Sequence, residues 1–168
     1  MLTGGHIAAS YLIAETAKSF GVPVTASETI QIIIAGNIVD IDFFVGLING
    51  KTGEEHHQNI THTPLGAVTL LILLSILFDA SVVSAALLGI SLFIHLILDD
   101  VGYWMYKLGI YKSRTNSQVN WFYPFNKFQK HNLIKGNKEV LKFYLVKAWP
   151  VAVIEILLVL IAVIVFLK

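Results

Sequence analysis

Apolar residues come in long blocks along this chain, and the charges sit between the blocks. Residues 29–39 contain no Asp, Glu, Lys or Arg, and apolar character resumes after Asp40 and Asp42 as far as Asn49. Residues 58–78 and 80–98 are likewise free of those four types. The last block, 156–167, is charge-free, and its apolar stretch begins at Ala148 with Glu155 as the single charge inside it. A helix needs about 20 apolar residues to cross a bilayer. The blocks approach that length, so the pattern predicts short or tilted membrane helices, some shielded by their neighbours.

Turn-forming residues divide the chain in the same way. Gly21 and Pro23 separate a first helix, about residues 3–20, from a second, about 28–48. Thr63 followed by Pro64 reads as an N-cap and first helical position, which starts a third helix. Asp79, Ala80 and Ser81 form a polar break in which either polar residue can cap a fourth helix running to about Met105. A fifth helix closes the chain. Residues 107–147 differ from the rest. They hold nine of the twelve Lys and Arg residues, interleaved with Trp121, Phe122, Tyr123, Pro124, Phe125 and Phe128. This mixture predicts a basic, aromatic segment lying at the membrane interface.

Composition sharpens the picture. Hydrophobic residues make up 55% of the chain and charged residues 14%, against about 25% charged in soluble domains. Much of the surface therefore does not face water. The 168 residues suit one domain spanning 1–168. A net charge of +1 gives no global field to recruit nucleic acid. The absence of cysteine excludes disulfides, thiolate metal sites and cysteine nucleophiles. The N-terminus, with no basic region, does not read as a cleaved signal peptide. The expected fold class is all-α: a polytopic bundle of about five helices.

The few polar residues fall at one end of this bundle. The first helix runs away from His6, and the second returns to Asp40 and Asp42. The third runs away from His62, and the fourth returns to His95 and Asp99. Short turns make each pair an antiparallel hairpin. The connection between the hairpins carries Glu54, Glu55, His56 and His57. His6, Asp40, Asp42, His57, His62, His95 and Asp99 can therefore converge near one membrane face. His95 and Asp99, four apart, share a helix face. Three carboxylates and up to four imidazoles in a low-dielectric pocket would repel or neutralise one another. A divalent cation resolves this, and the donors suit zinc, iron or manganese. Seven candidates exceed one four-coordinate zinc, so either two ions bind or some of the seven only support the ligands.

Each residue also has a plainer reading. His95 and Asp99 could be a buried ion pair within one helix. Asp40 and Asp42 could mark where the second helix meets water. His56 and His57 could be ordinary loop residues, and His131, among lysines, reads as solvated. Glu15 and Lys18 read as a pair, and Glu155 could face the bundle. The joint pattern favours a site, since folding alone does not require six or seven such residues at one end.

Gly5-His6, AGNIVDID (residues 35–42), HQNITHT (57–63), HLILD (95–99) and WFYPF (121–125) occur in an order that resembles the inner-membrane, metal-dependent hydrolase family of YdjM type. That family shows an N-terminal His, a PDxD segment, an HRGxTHS segment, an HxxxD helix and a later Trp-Pro stretch. The resemblance covers about residues 5–126 and is more loosely similar to the zinc-dependent phospholipase C fold. Val39 stands where the family has Pro, and Gln58 and Asn59 where it has Arg and Gly. Gln58 cannot clamp a phosphate oxygen as an Arg would. The resemblance implies a metal-dependent hydrolase of the inner membrane, acting through metal-activated water on a lipid-linked or membrane-proximal ester or phosphoester. The seven residues above would hold one or two divalent ions, zinc first, with manganese or iron as alternatives. Membrane lipid is the expected partner, with a small or lipid-linked substrate and no nucleic acid. A metal-binding or transport protein without hydrolytic activity is the alternative, and a structural subunit with a decayed site is the third. Basic residues at Lys51 and across 107–147 place the site end at the cytoplasmic face.

Overall fold

A computed structural model of the chain describes residues 2–41, 59–110, 117–126 and 148–168. Among these residues it is all-helical, with no strand. The helices are α1 (Thr3–Ser19), α2 (Ala26–Ile38), α3 (Pro64–Leu77), α4 (Val82–Asp99), α5 (Val101–Lys107) and α6 (Trp149–Phe166), with a 3-10 turn at Ile60–His62. α4 and α6 have 18 residues each and are long and apolar enough to cross a membrane, at about 1.5 Å rise per residue some 27 Å.

The hairpins form as the turn residues dictate. Thr25 caps α2 in a reciprocal box with Glu28: the Thr25 hydroxyl oxygen accepts from the Glu28 amide, and the Glu28 carboxylate accepts from the Thr25 amide. Thr63 caps α3, accepting from the Gly66 amide at 2.9 Å, with Pro64 as the first helical residue. Of the two candidate caps before α4, Ser81 is the one used, accepting from the Ser84 amide at 3.1 Å. Asp79 instead takes the left-handed turn conformation, φ 48°. At this end of the bundle the Ser84 hydroxyl donates to Glu28 at 2.5 Å, tying the starts of α2 and α4 together.

Two boundaries differ from the sequence expectation. α2 ends at Ile38 rather than continuing towards 48. The Asp40 amide reaches back to the Asn37 carbonyl at 3.2 Å, tightening the last turn, and residues 42–48 lie outside those described. The expected fourth helix to Met105 divides at Asp100 into α4 and α5. The backbone bond from Trp104 to the Asp100 carbonyl persists at 3.0 Å, so the division is a bend about Asp100, not a separation. Of the segment 107–147, residues 111–116 and 127–147 lie outside the described residues.

α1, α2 and α4 pack against one another; α3 packs on α4, and α6 on α1. Between helices in lipid there is little hydrophobic drive, so close approach at small residues carries the packing. Gly36 on α2 is where this is tightest. A Cβ there would collide with the hydroxyls of Ser10 on α1 and Ser91 on α4. Ser91 sits 2.9 Å from both the Ser10 hydroxyl and the Ile32 carbonyl. Outward faces are apolar: Ile72, Ile76 and Leu77 on α3, and Ile156, Leu160 and Ile164 on α6, are all exposed. Contiguous exposure of this kind is stable against lipid and not against water.

Gly36→Ala overpacks this junction and costs about 1–3 kcal/mol. It should lower the melting temperature of the protein in detergent micelles. Gly102→Ala, whose Cβ would meet Val151 at an ordinary 3.4 Å, should leave it unchanged; equal melting of the two variants would contradict the packing described.

Candidate metal centre

Four of the seven candidate ligands meet at the other end of the bundle from the Glu28–Ser84 contact. One ligating atom each of Asp40, His62, His95 and Asp99 lies within 4.8 Å of the other three. They arrive from three segments. Asp40 follows the end of α2. His62 closes the 3-10 turn ahead of α3. His95 and Asp99 stand on successive turns at the end of α4.

Local structure fixes each of them. The Thr63 hydroxyl donates to the Ile60 carbonyl at 2.7 Å while capping α3, which folds the turn that carries His62. Gly66 leaves room for that turn, since a Cβ there would collide with the Ile60 carbonyl. His95 is anchored from behind: its Nδ1 lies 2.7 Å from the Gly36 carbonyl oxygen. A carbonyl only accepts, so Nδ1 carries a proton and donates it, which turns Nε2 into the cluster. Nε2 faces Asp99 Oδ2 at 3.1 Å and Asp40 Oδ1 at 3.5 Å without an aligned hydrogen bond to either. His62 Nε2 lies 3.2 Å from Asp40 Oδ1 and 3.5 Å from Asp99 Oδ2. Asp40 lies just beyond α2. Burial pushes its carboxyl up, but the His62 and His95 imidazoles that face it outweigh this and hold it well below the usual carboxylate range. It is therefore ionised.

His6 adjoins the cluster without sharing its centre. Its Nε2 lies 3.1 Å from Asp99 Oδ1, the carboxylate oxygen turned away from His95. Its ring stacks on that of His95, with centroids 3.9 Å apart. Asp42 and His57 lie outside the described residues, as do Glu54, Glu55, His56 and His131.

The geometry tests whether a cation suits these residues. Two imidazole nitrogens and two carboxylates converge in a buried space, with the ligating oxygens of Asp40 and Asp99 within 4.8 Å of each other. Without a positive charge between them this arrangement is repulsive. A divalent ion fits the donor set, and the second contacts that orient metal ligands in proteins are already present at Gly36 for His95 and at His6 for Asp99.

One residue beside the cluster escaped the sequence reading. Asp100 is fully buried. It turns away from Asp99 and gathers the downstream segment: its Oδ1 accepts from the amides of Gln118 and Val119, and its Oδ2 from the Ser117 hydroxyl and the Trp121 indole N–H, at 2.5–3.3 Å. The Asn120 amide donates to the His62 carbonyl at 3.3 Å. The stretch 117–121, which leads into WFYPF, is thus held beside the turn that presents His62. The signal available in the sequence was the doubled acid, Asp99-Asp100, beside a later Trp that needs an acceptor.

These features define the class: an all-helical membrane protein with a buried His–Asp cluster at one end of its bundle. The chain belongs to the YdjM inner membrane protein family, whose model matches residues 1–168. No curated protein and no solved structure matches it.

Asp100→Ala strands four donors at once, and the loss of a buried charged partner costs about 3–5 kcal/mol. Thermal melts should show Asp100→Ala well below wild type, with Asp100→Asn, which keeps one acceptor oxygen, between them. Equal melting of wild type and Asp100→Ala would refute the role of this carboxylate.

Proposed function

We propose that Asp40, His62, His95 and Asp99 hold a divalent metal ion, and that the protein is a membrane-embedded hydrolase of lipid-linked or membrane-proximal esters or phosphoesters. The observation that carries the metal reading is the convergence of two imidazole nitrogens and two carboxylates within 4.8 Å of one another, with His95 fixed by Gly36 so that its Nε2 faces both acids. Two nitrogens and two oxygens suit zinc, with iron or manganese as alternatives. When bound, such an ion supplies Lewis-acid activation of water and of the scissile bond. The chain's own residues prepare the place. His95 and His62 offer neutral nitrogens, Asp40 and Asp99 offer charge, and His6 holds the outer oxygen of Asp99. Asp42 and His57, two and five residues from Asp40 and His62, are the candidates for further coordination or a second ion.

The rival reading, ion transport, needs a polar route through the bundle. Below the cluster lie the Ser10 and Ser91 hydroxyls, and beyond them Ala14, Ile32 and Leu88, all buried and apolar. This supports a site that opens at one membrane face only. The excess of Lys and Arg at Lys51 and in 107–147, against Lys18 and Lys168 at the other end, supports a cytoplasmic position for that face by the positive-inside rule.

Zinc at 100 times its Kd should stabilise the wild-type protein by about 2.7 kcal/mol, a gain that chelator reverses and that His95→Ala lacks. In proteoliposomes, zinc-dependent release of headgroup or acyl chain from ester and phosphoester lipids should fall about 100-fold or more in Asp99→Asn. Metal-dependent stability without turnover on either lipid class would leave metal binding and remove the hydrolase.

Topology has its own test. The chain has no cysteine, so Phe125→Cys, at a position 91% exposed, reports its side cleanly. An impermeant thiol reagent should label it in inverted membrane vesicles and not in intact cells. The opposite pattern would place the site outside.

A further inference from the structure

α6 carries one charge in its 18 residues, Glu155. A carboxylate at membrane depth is expensive, and it persists where it is satisfied and used. Glu155 is buried against the start of α1. Its Oε1 accepts from the Gly5 amide and its Oε2 from the Leu2 amide, each at 3.2 Å. α1 has no side-chain cap of its own: Leu2 precedes it and its first turn holds no acid, so apart from Glu155 the Gly5 amide has only the Leu2 carbonyl, at 3.0 Å. The first amides of a helix lack intrahelical acceptors and form the positive end of its dipole. Gly5 is buried, so its amide must be met within the protein. The last helix of the chain therefore supplies the cap that the first helix lacks.

The turn so capped is the one that matters to the cluster. His6 follows Gly5 directly, and its Nε2 holds Asp99 Oδ1 at 3.1 Å. We infer that Glu155 is a positioning residue for the metal centre: it fixes the first turn of α1, and through it the His6 ring that orients Asp99. This rests on the metal reading above. Docking of α6 alone does not call for a charge, since apolar contacts along α1, such as Tyr11 against Phe166, are available. A metal site does call for it. Ligand distances hold to about ±0.2 Å, and an uncapped turn frays by more than that.

The test is zinc affinity of the full-length protein in detergent micelles, read on the folded fraction. Glu155→Leu, which suits a membrane helix, should weaken zinc binding about tenfold, the scale expected when a ligand's support is lost. Glu155→Gln keeps one acceptor oxygen and should weaken it less. In a His6→Ala background, Glu155→Leu should add no further loss, because the route through His6 is already cut. Amide exchange at residues 2–6 of the metal-free protein should rise in Glu155→Leu. Unchanged zinc affinity in Glu155→Leu, or an equal further loss in the His6→Ala background, would overturn the inference while the metal reading stands. If Glu155→Leu does not fold, Glu155→Gln alone and in the His6→Ala background carries the same comparison. Failure of the wild type to take up zinc would sink the metal reading first, and this inference with it.

Discussion

The missing side chain at Gly36 is the constraint on which the rest of the bundle depends. It lets α1, α2 and α4 close until the Ser10 and Ser91 hydroxyls touch the space a methyl group would fill. The same residue's carbonyl oxygen holds His95 Nδ1 at 2.7 Å. Packing and chemistry are thus set at one point. A soluble protein could assemble these helices by burying apolar area, but lipid gives no such reward. Small residues and a few polar contacts do the assembling here, and the polar contacts also orient the cluster.

The acids divide the labour by position. Asp99 and Asp100 are neighbours in sequence and face different structures. Asp99 looks inward to His6, His62 and His95. Asp100 looks outward to the segment 117–121 and holds it against the His62 turn. Glu28 at the far end joins two helix starts, and Glu155 joins the first helix to the last. Each buried carboxylate is met by specific donors, which is what a low-dielectric interior demands of a charge.

Much of this was legible in the sequence where one residue type has one physical use. Thr63-Pro64 could only start a helix, and the HxxxD spacing of His95 and Asp99 had to place both on one face. The hairpin argument brought His62 towards His95 because short turns leave antiparallel neighbours no choice. The cap of α4 was narrowed to Asp79 or Ser81, and geometry selected Ser81. Less legible were contacts whose two ends are far apart. Nothing near Glu155 in sequence names Leu2 and Gly5 as its partners. Asp100 drew no reading from the sequence, because its donors come from a loop some twenty residues on. The end of α2 at Ile38 depends on the Asp40–Asn37 backbone turn, and the apolar run through Asn49 masked it.

The contact between Glu155 and Gly5 spans 150 residues of chain. A polytopic protein enters the membrane in the order in which it is made, so α1 reaches the bilayer with its leading amides unmet and waits for α6. The bundle is closed only once α6 has been made. A chain that stops early, even after every residue of the cluster has been made, leaves its first helix open at the end where His6 sits. The making of α6 and the completion of the polar centre become the same event, and a copy that lacks α6 is marked by exposed polar groups within the membrane.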